Sequence, residues 1–284
     1  LLTGITQGCI YAMIALGFTI IYNATNIINF AQGELVMLGA MTAIALTTLL
    51  GLPLMLAFPV SVAVVTLLGG LFYKLALSPM RRPTSIKLII VTVGGSIFIK
   101  GVAMHVWGKE ALVLKSFSGD QTIKFGEVSM APQHFWVMAV LVISVIALNA
   151  FYTRTITGKA MRACASNPRA ASLMGIDVGR MTLFTWGLSG ALGAAAGIVI
   201  APLTMMSYNM GTMMGLKGFS AAIFGGIGST PGAIAGGVLI GVIENLGAGY
   251  ISSSLKDAMA FVVMLIVLFV RPSGLMGMRR MERV

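Results

Sequence analysis

Apolar stretches of helix length follow one another along the chain at roughly 3–22, 31–50, 54–75, 88–107, 134–153, 182–203, 231–250 and 256–271, with a shorter glycine-rich apolar piece at 218–229. About 20 apolar residues in α-helix cross a bilayer, so the pattern predicts eight full spans and one short element. The runs MAVLVISVIAL at 138–148 and MAFVVMLIVLFV at 259–270 are apolar all round. Membrane β-strands instead alternate apolar and polar positions. Without water in the hydrocarbon, each span must close its backbone hydrogen bonds internally. The expected fold is therefore all-α: a polytopic membrane helix bundle of about eight full spans plus a short broken or re-entrant helix, in a single transmembrane domain over 1–284.

Composition agrees. Of 284 residues, 57% are hydrophobic and only 10% charged, against about a quarter charged in a soluble domain; the mean hydropathy is +0.96. A soluble enzyme, a disulfide scaffold and a disordered chain are poor fits. Cys9 and Cys164 are the only cysteines and lack CxxC spacing, so no disulfide framework or zinc site is indicated.

The net charge of +11 reads as membrane orientation rather than nucleic-acid binding, because the basic residues fall in gaps between spans. Arg81, Arg82 and Lys87 occupy one gap, and Arg154, Lys159, Arg162, Arg169 and Arg180 another. Arg271, Arg279, Arg280 and Arg283 lie in the tail. All three regions are expected on the cytoplasmic side, including the C-terminus. The segment 108–133 balances three lysines with three acids and reads as an external loop. Parity then requires either that 218–229 is a short, protein-buried crossing, the favoured reading, or that one of the later spans does not cross. With the short crossing the N-terminus is outside, unless 1–50 contains a re-entrant piece. No cleavable signal peptide is evident in the first apolar stretch.

Glycines at Gly4/Gly8, Gly193/Gly197, Gly232/Gly236 and Gly237/Gly241 have GxxxG spacing, which lets helix backbones approach closely in lipid. Packing within the bundle is the simpler reading; a seam between subunits is the other. The run GGIGSTPG at 225–232 is not a nucleotide loop, since no GxxxxGK[ST] occurs and Pro231 stands where a third glycine is required. A broken helix lining a cavity fits Gly225, Gly226 and Gly228 better.

The polar residues Asn29, Gln32 and Glu34 fall between two apolar stretches, where a central acid costs about 2.5–3.5 kcal/mol on the insertion scale. They either face a passage, with Gly33 marking unwound backbone, or form an interfacial turn with Asn caps. Glu244 is the other acid within a span, solvated or buried. Thr92 and Ser96 can bond across helices or, more simply, to their own backbone. Lys100 can snorkel to an interface. His105 and His134 have no companions at metal-ligand spacing, so no metal is expected. No Ser-His-Asp or paired-carboxylate constellation can be placed, so the chain is not read as an enzyme.

The stretch 157–181 has its own helix signal: Asn167 as cap, Pro168 at the first helical position and Gly175 as stop. A short helix over 169–175 exposing Leu173, Met174 and Ile176 could plug into a groove on another protein, or lie on lipid headgroups.

This stretch resembles the cytoplasmic coupling loop of ABC-importer permeases, whose EAA-xxx-G pattern docks on the ATPase. Here Arg169, Ala170 and Ala171 precede Gly175, so Arg replaces the Glu. Together with NIINFAQGELVMLGA at 26–40, LKGFSAAIFGGIGSTPGAIAGG at 216–237 and LFVRPSGLMG at 268–277, it is similar to the branched-chain amino acid permease family over essentially the whole chain. The resemblance implies a permease subunit of a binding-protein-dependent importer in a bacterial or archaeal cytoplasmic membrane. Its implied partners are a second, similar permease, two cytoplasmic ATPases that hold the ATP and Mg, and an external binding protein, with lipid around it and no nucleic acid or bound cofactor of its own. Asn29, Gln32 and Glu34 with Gly225, Gly226 and Gly228 are then the expected passage, and 167–176 the expected coupling segment. Related permeases serve urea, short amides and aromatic acids. A secondary transporter using Glu34 and Glu244 as ion sites is the rival class, and a membrane-embedded enzyme a distant third.

Overall fold

The computed structural model describes residues 1–80, 84–119, 122–125 and 128–277. Eleven α-helices appear among them: α1 (Leu2–Thr25), α2 (Gln32–Thr48), α3 (Leu54–Phe72), α4 (Ser85–Trp107), α5 (Gln133–Arg154), α6 (Ile156–Ser166), α7 (Pro168–Leu173), α8 (Val178–Ile200), α9 (Met210–Gly225), α10 (Thr230–Tyr250) and α11 (Lys256–Val270). A π-helical turn, Tyr73–Leu77, continues α3. The expected external loop also holds two short antiparallel strands, β1 (Ile123–Phe125) and β2 (Val128–Met130), which the hydropathy pattern did not predict. Of the charges used for orientation, Arg81, Arg82, Asp120, Glu127, Arg279, Arg280 and Arg283 lie outside the described residues.

Every predicted apolar stretch carries a helix, but the span count differs. Among the described residues, six helices are long and apolar enough to cross a membrane: α1, α3 with its π turn, α4, α5, α8 and α10. The remaining three candidates, α2, α9 and α11, have 17, 16 and 15 residues, or about 23–25 Å of helix against a hydrocarbon core of about 30 Å. The expected short element at 218–229 begins earlier, as α9, and stops at Gly225.

The helices divide into an inner and an outer set. Within the best 18-residue window, α1 is 89% buried and α8 78%, while α4 and α5 are 17% buried. An all-round apolar α1 therefore sits in the middle of the bundle, and the outer helices turn Leu, Ile, Val and Phe toward the surroundings, as lipid contact requires. The inner contacts depend on small residues. A Cβ on Gly8 would come within 2.6 Å of Val238 Cα, and one on Gly241 would collide with Gly8 backbone. Gly4 and Gly8 thus mesh with Gly237 and Gly241 across an antiparallel α1–α10 pair. On α8, Gly197 lies against the Val36 carbonyl and Gly193 against Leu35, which seats α2 alongside α8 in parallel. These glycine pairs serve packing inside the bundle.

Candidate functional site

Two helices begin inside the bundle at the same level. Asn26 ends α1 in the left-handed region (φ 54°), with its N–H donating to Tyr22 O at 2.7 Å. The chain then turns back, and Asn29 Oδ1 accepts from Ala31 N at 3.0 Å, an Asx turn that starts α2. Gln32 Nε2 donates to Ser189 O at 3.2 Å. The Ser189 hydroxyl lies 2.7 Å from Gln32 Oε1 and 2.9 Å from Gly17 O, so α1, α2 and α8 are tied together at one point. Ser189 is eleven residues before the end of α8, about 16 Å along its axis; the first turn of α2 is therefore deep. Asn29 Nδ2 reaches Gln32 Oε1 at 3.4 Å.

The first turn of α9 meets the same place. A Cβ on Gly33 would collide with Gly211 O, and Gly215 packs on the Gly33 backbone. Glu34, in the first turn of α2, points between them. Its Oε1 accepts from Ser96 Oγ and Thr212 Oγ1, both at 3.0 Å. Its Oε2 is buried beside Gly211 with no hydrogen-bond partner. The positive ends of two helix dipoles favour an anion here. Asn29, Gln32 and Glu34 are all 1% exposed or less. Asn26 and Asn29 are turn devices, while Gln32 and Glu34 are buried and hydrogen-bonded to neighbouring helices.

The glycine break lies elsewhere. Gly226 (φ 105°) packs on Gly274 and Gly277, and Leu275 N and Met276 N donate to Phe224 O and Gly225 O at 2.9 and 2.8 Å. Gly228 (φ 91°) accepts from Asn23 Nδ2 at 3.0 Å. Positive φ at both positions favours glycine. The break thus joins the end of α1 to the 271–277 tail, while the Glu34 cluster sits level with Gly17 and the two helix starts.

Around 156–177 the structure has two helices where one was expected. Thr155 Oγ1 accepts from Gly158 N at 2.9 Å and begins α6. Asn167 Oδ1 accepts from Ala170 N at 3.0 Å, Pro168 follows in the first turn of α7, and Gly175 (φ 82°) stops it. Ala171 packs inward, Ile176 is half-buried, and Arg169 and Ala170 are exposed. Leu173 and Met174 are 89% and 83% exposed. A groove of about 270 Å³ runs beside them, lined by Ala163, Asn167 and Ala170 among others.

Sequence reasoning missed one polar centre. Lys217 Nζ on α9 lies 2.8 Å from Glu244 Oε1 on α10 and 2.6 Å from Asp257 Oδ1 on α11. Tyr11 OH donates to Glu244 Oε2 at 2.8 Å, and Gln7 Nε2 donates to the Tyr11 oxygen at 3.0 Å. Glu244 is thus buried and paired. The available signal was Lys217 itself, a lone cation in an apolar segment that needs a partner at depth. Of the α4 residues Thr92 and Ser96, Thr92 bonds its own backbone at Ile89 O (2.9 Å), and Ser96 bonds across to Glu34.

A bundle of membrane-length helices with charged and polar groups paired at depth and a protruding short helix is the architecture of a membrane transport subunit. The comparisons with known proteins give the family. The profile of the branched-chain amino acid transport system permease component matches residues 1–268, and the chain belongs to that family. The high-affinity branched-chain amino acid transport system permease protein BraD of Pseudomonas aeruginosa is 35% identical, over 100% of this chain and 97% of that protein. The corresponding LivH of Escherichia coli (strain K12) is 32% identical, over 99% and 96%. Among solved structures, a chain of PsaBC from Streptococcus pneumoniae, in complex with Fab, superposes with a TM-score of 0.52 at 14% identity, covering 95% of this chain and 91% of that one; this likeness concerns the fold.

Proposed function

We propose that the chain is the membrane-spanning permease subunit of a binding-protein-dependent ABC importer that carries branched-chain amino acids. The observation that carries the reading is the family match over nearly the full length, to relatives named as permeases of that transport system. Its partners are a second permease of similar fold, two cytoplasmic ATPases that bind ATP and Mg, and an external binding protein. The exposed pair Leu173 and Met174, presented by a capped helix, is a suitable plug for an ATPase groove. The segment Asn167, Pro168, Arg169, Ala170, Ala171, Leu173, Met174, Gly175 and Ile176 is accordingly the coupling element. In this reading the α6–α7 side, and with it the C-terminal tail, faces the cytosol.

In this reading Asn29, Gln32 and Glu34 form a closed polar plug on the passage. ATP-driven movement of α7 shifts the bundle between two states, and parting α2 from α1 and α8 at Ser189 opens the plug. Gly225, Gly226 and Gly228 belong to the cytoplasmic end of the same path. Selection by the external binding protein leaves the passage needing only sparse contacts.

Co-expression with the partner subunits, reconstitution into liposomes and assay of labelled leucine uptake test the reading. Uptake is expected to require ATP and the binding protein, and to fall when Asn29→Leu and Gln32→Leu are combined. Uptake that follows an ion gradient without any ATPase would overturn it in favour of a secondary transporter.

A further inference from the structure

The 108–133 loop lies at the end of the bundle away from α6 and α7, because α5 starts from it at Gln133 and runs 22 residues to Arg154, where α6 follows. It is fastened to the bundle at several points. Gln133, 1% exposed, donates through Nε2 to Val199 O in the last turn of α8 at 2.8 Å, and its Oε1 accepts from Phe117 N at 3.3 Å. Phe117 stands edge-on to Phe58 of α3, with ring centres 6.4 Å apart, and Leu114 is buried in the core. The tie with a consequence for α9 is a reciprocal one: Leu112 N donates to Met206 O and Met206 N donates to Leu112 O, both at 2.8 Å. Met206 is fully buried and belongs to the link between α8 and α9, four residues before α9 begins. Two segments that exchange both backbone bonds are fixed against each other, so the loop and the link form one piece.

No side chain caps α9 at Asn209. The start of α9 is held instead by the Leu112–Met206 clamp and, six residues past Met206, by the Thr212 hydroxyl, which donates to Glu34 Oε1 at 3.0 Å. Gly211 and Gly33 meet there with no room for a Cβ. A displacement of α9 therefore cannot be absorbed by side chains at this contact; it must carry α2 along or part Thr212 from Glu34, and close-packed interiors transmit such a load. We infer that the Leu112–Met206 clamp carries events at the outer face to the Glu34 cluster: the loop, the 201–209 link and the first turn of α9 move as one body when the binding protein engages, and this movement parts Thr212 from Glu34. The inference rests on the importer reading above, and adds to it the route by which the outside controls the plug. The two-state element is the first turn of α9, bonded to Glu34 or released from it.

The test uses the assembled complex of permeases and ATPases in nanodiscs. It compares ATP hydrolysis with and without leucine-loaded binding protein, alongside the affinity of that binding protein for the complex. Leu112→Pro with Met206→Pro removes both N–H donors of the clamp. The pair is expected to lower the stimulation by binding protein about fivefold or more, while basal hydrolysis and docking affinity keep their native values. Gln133→Leu, which frees the loop from Val199 O, serves if the proline variant does not assemble. A hydrogen-bonded antiparallel pair has Cα atoms about 5.5 Å apart, within disulfide reach, so Leu112→Cys with Met206→Cys can be locked by oxidation; the locked complex is expected to keep native stimulation. Full stimulation without the clamp overturns the route. So does a locked complex whose stimulation is lost and returns with reductant, because the clamp would then have to open. Loss of stimulation together with loss of docking makes the loop a docking surface alone and also overturns it. A native complex that imports leucine with ATP and binding protein but shows no stimulation overturns the route and leaves the importer reading standing; absence of import as well overturns both.

Discussion

Lys217 and Glu244, 27 positions apart, meet at 2.8 Å between α9 and α10, and both side chains are almost wholly buried. The Tyr11 hydroxyl takes the second carboxylate oxygen at 2.8 Å, so the ion pair joins three helices at once, and Asp257 brings in a fourth. Removing one partner strands a charge in a low-dielectric interior, which typically costs about 3–5 kcal/mol, whereas replacing a buried pair with apolar residues of similar volume is often near neutral. Lys217→Met, which leaves Glu244 with the Tyr11 hydroxyl and only Lys256 at 3.9 Å, is expected to lower the thermal unfolding midpoint in detergent strongly. Glu244→Leu, after which Lys217 keeps Asp257 at 2.6 Å, is expected to lower it less, and the double substitution to recover most of the larger loss. Additive losses in the double variant would show that the pair contributes little as a pair.

The Glu34 carboxylate differs from Glu244 in having one oxygen buried without a partner. Ser189 holds the neighbouring Gln32 to Gly17, and a hydrogen bond of this kind contributes about 0.5–1.5 kcal/mol net. If the plug is what keeps the passage closed, Ser189→Ala shifts the closed-to-open ratio by about two- to tenfold. The expected readout is a rise in ATP hydrolysis by the reconstituted complex in the absence of binding protein. Unchanged or lower basal hydrolysis would mean that the Gln32–Ser189 contact does not control the closed state.

Much of this was legible in the sequence. The nine apolar stretches are nine helices because an apolar run of that length in lipid has no other way to pair its backbone. Asn167, Pro168 and Gly175 likewise specified a helix by local rules, and the cap bond to Ala170 N is present. What could not be read was depth. Whether a 17-residue helix such as α2 starts at the interface or below it depends on which glycines it meets, and Gly33 finds Gly211 across 178 positions of sequence. The same holds for Lys217, whose partners Glu244 and Asp257 lie on two later helices. Hydropathy ranks residues singly; pairing across helices is a property of the packed bundle.

The close α1–α10 approach gives a sharper contrast among glycines of similar helical context. Gly8 has Val238 backbone at 2.6 and 2.8 Å from the position of a Cβ, while Gly101 on α4 has nothing within 4 Å. Gly8→Leu must push α10 away and is expected to abolish recovery of monodisperse protein. Gly101→Ala relieves a helix interior of glycine, which favours the helix by about 1 kcal/mol, and should leave yield and midpoint unchanged or slightly raised. Size-exclusion profiles of the two variants decide the matter, and equal tolerance at both positions would contradict the antiparallel glycine seam.

The orientation of α7 can be tested by thiol chemistry because the two native cysteines are shielded. Cys9 is inside α1, and Cys164 is buried in α6, where burial pushes its thiol pKa upward. A thiol with a raised pKa holds its proton to higher pH, so the reactive thiolate is scarce near neutrality and labelling of Cys164 should increase only as the medium becomes more alkaline. A cysteine placed at Leu173, which is 89% exposed, has no such protection. Leu173→Cys is expected to react with a membrane-impermeant maleimide at neutral pH in inside-out vesicles and not in right-side-out ones. Adding the partner ATPases should then slow the reaction at position 173 by about tenfold or more, since a side chain buried in a protein groove is withdrawn from the reagent. Labelling from the opposite side, or labelling that the ATPases leave untouched, would remove α7 from the coupling interface.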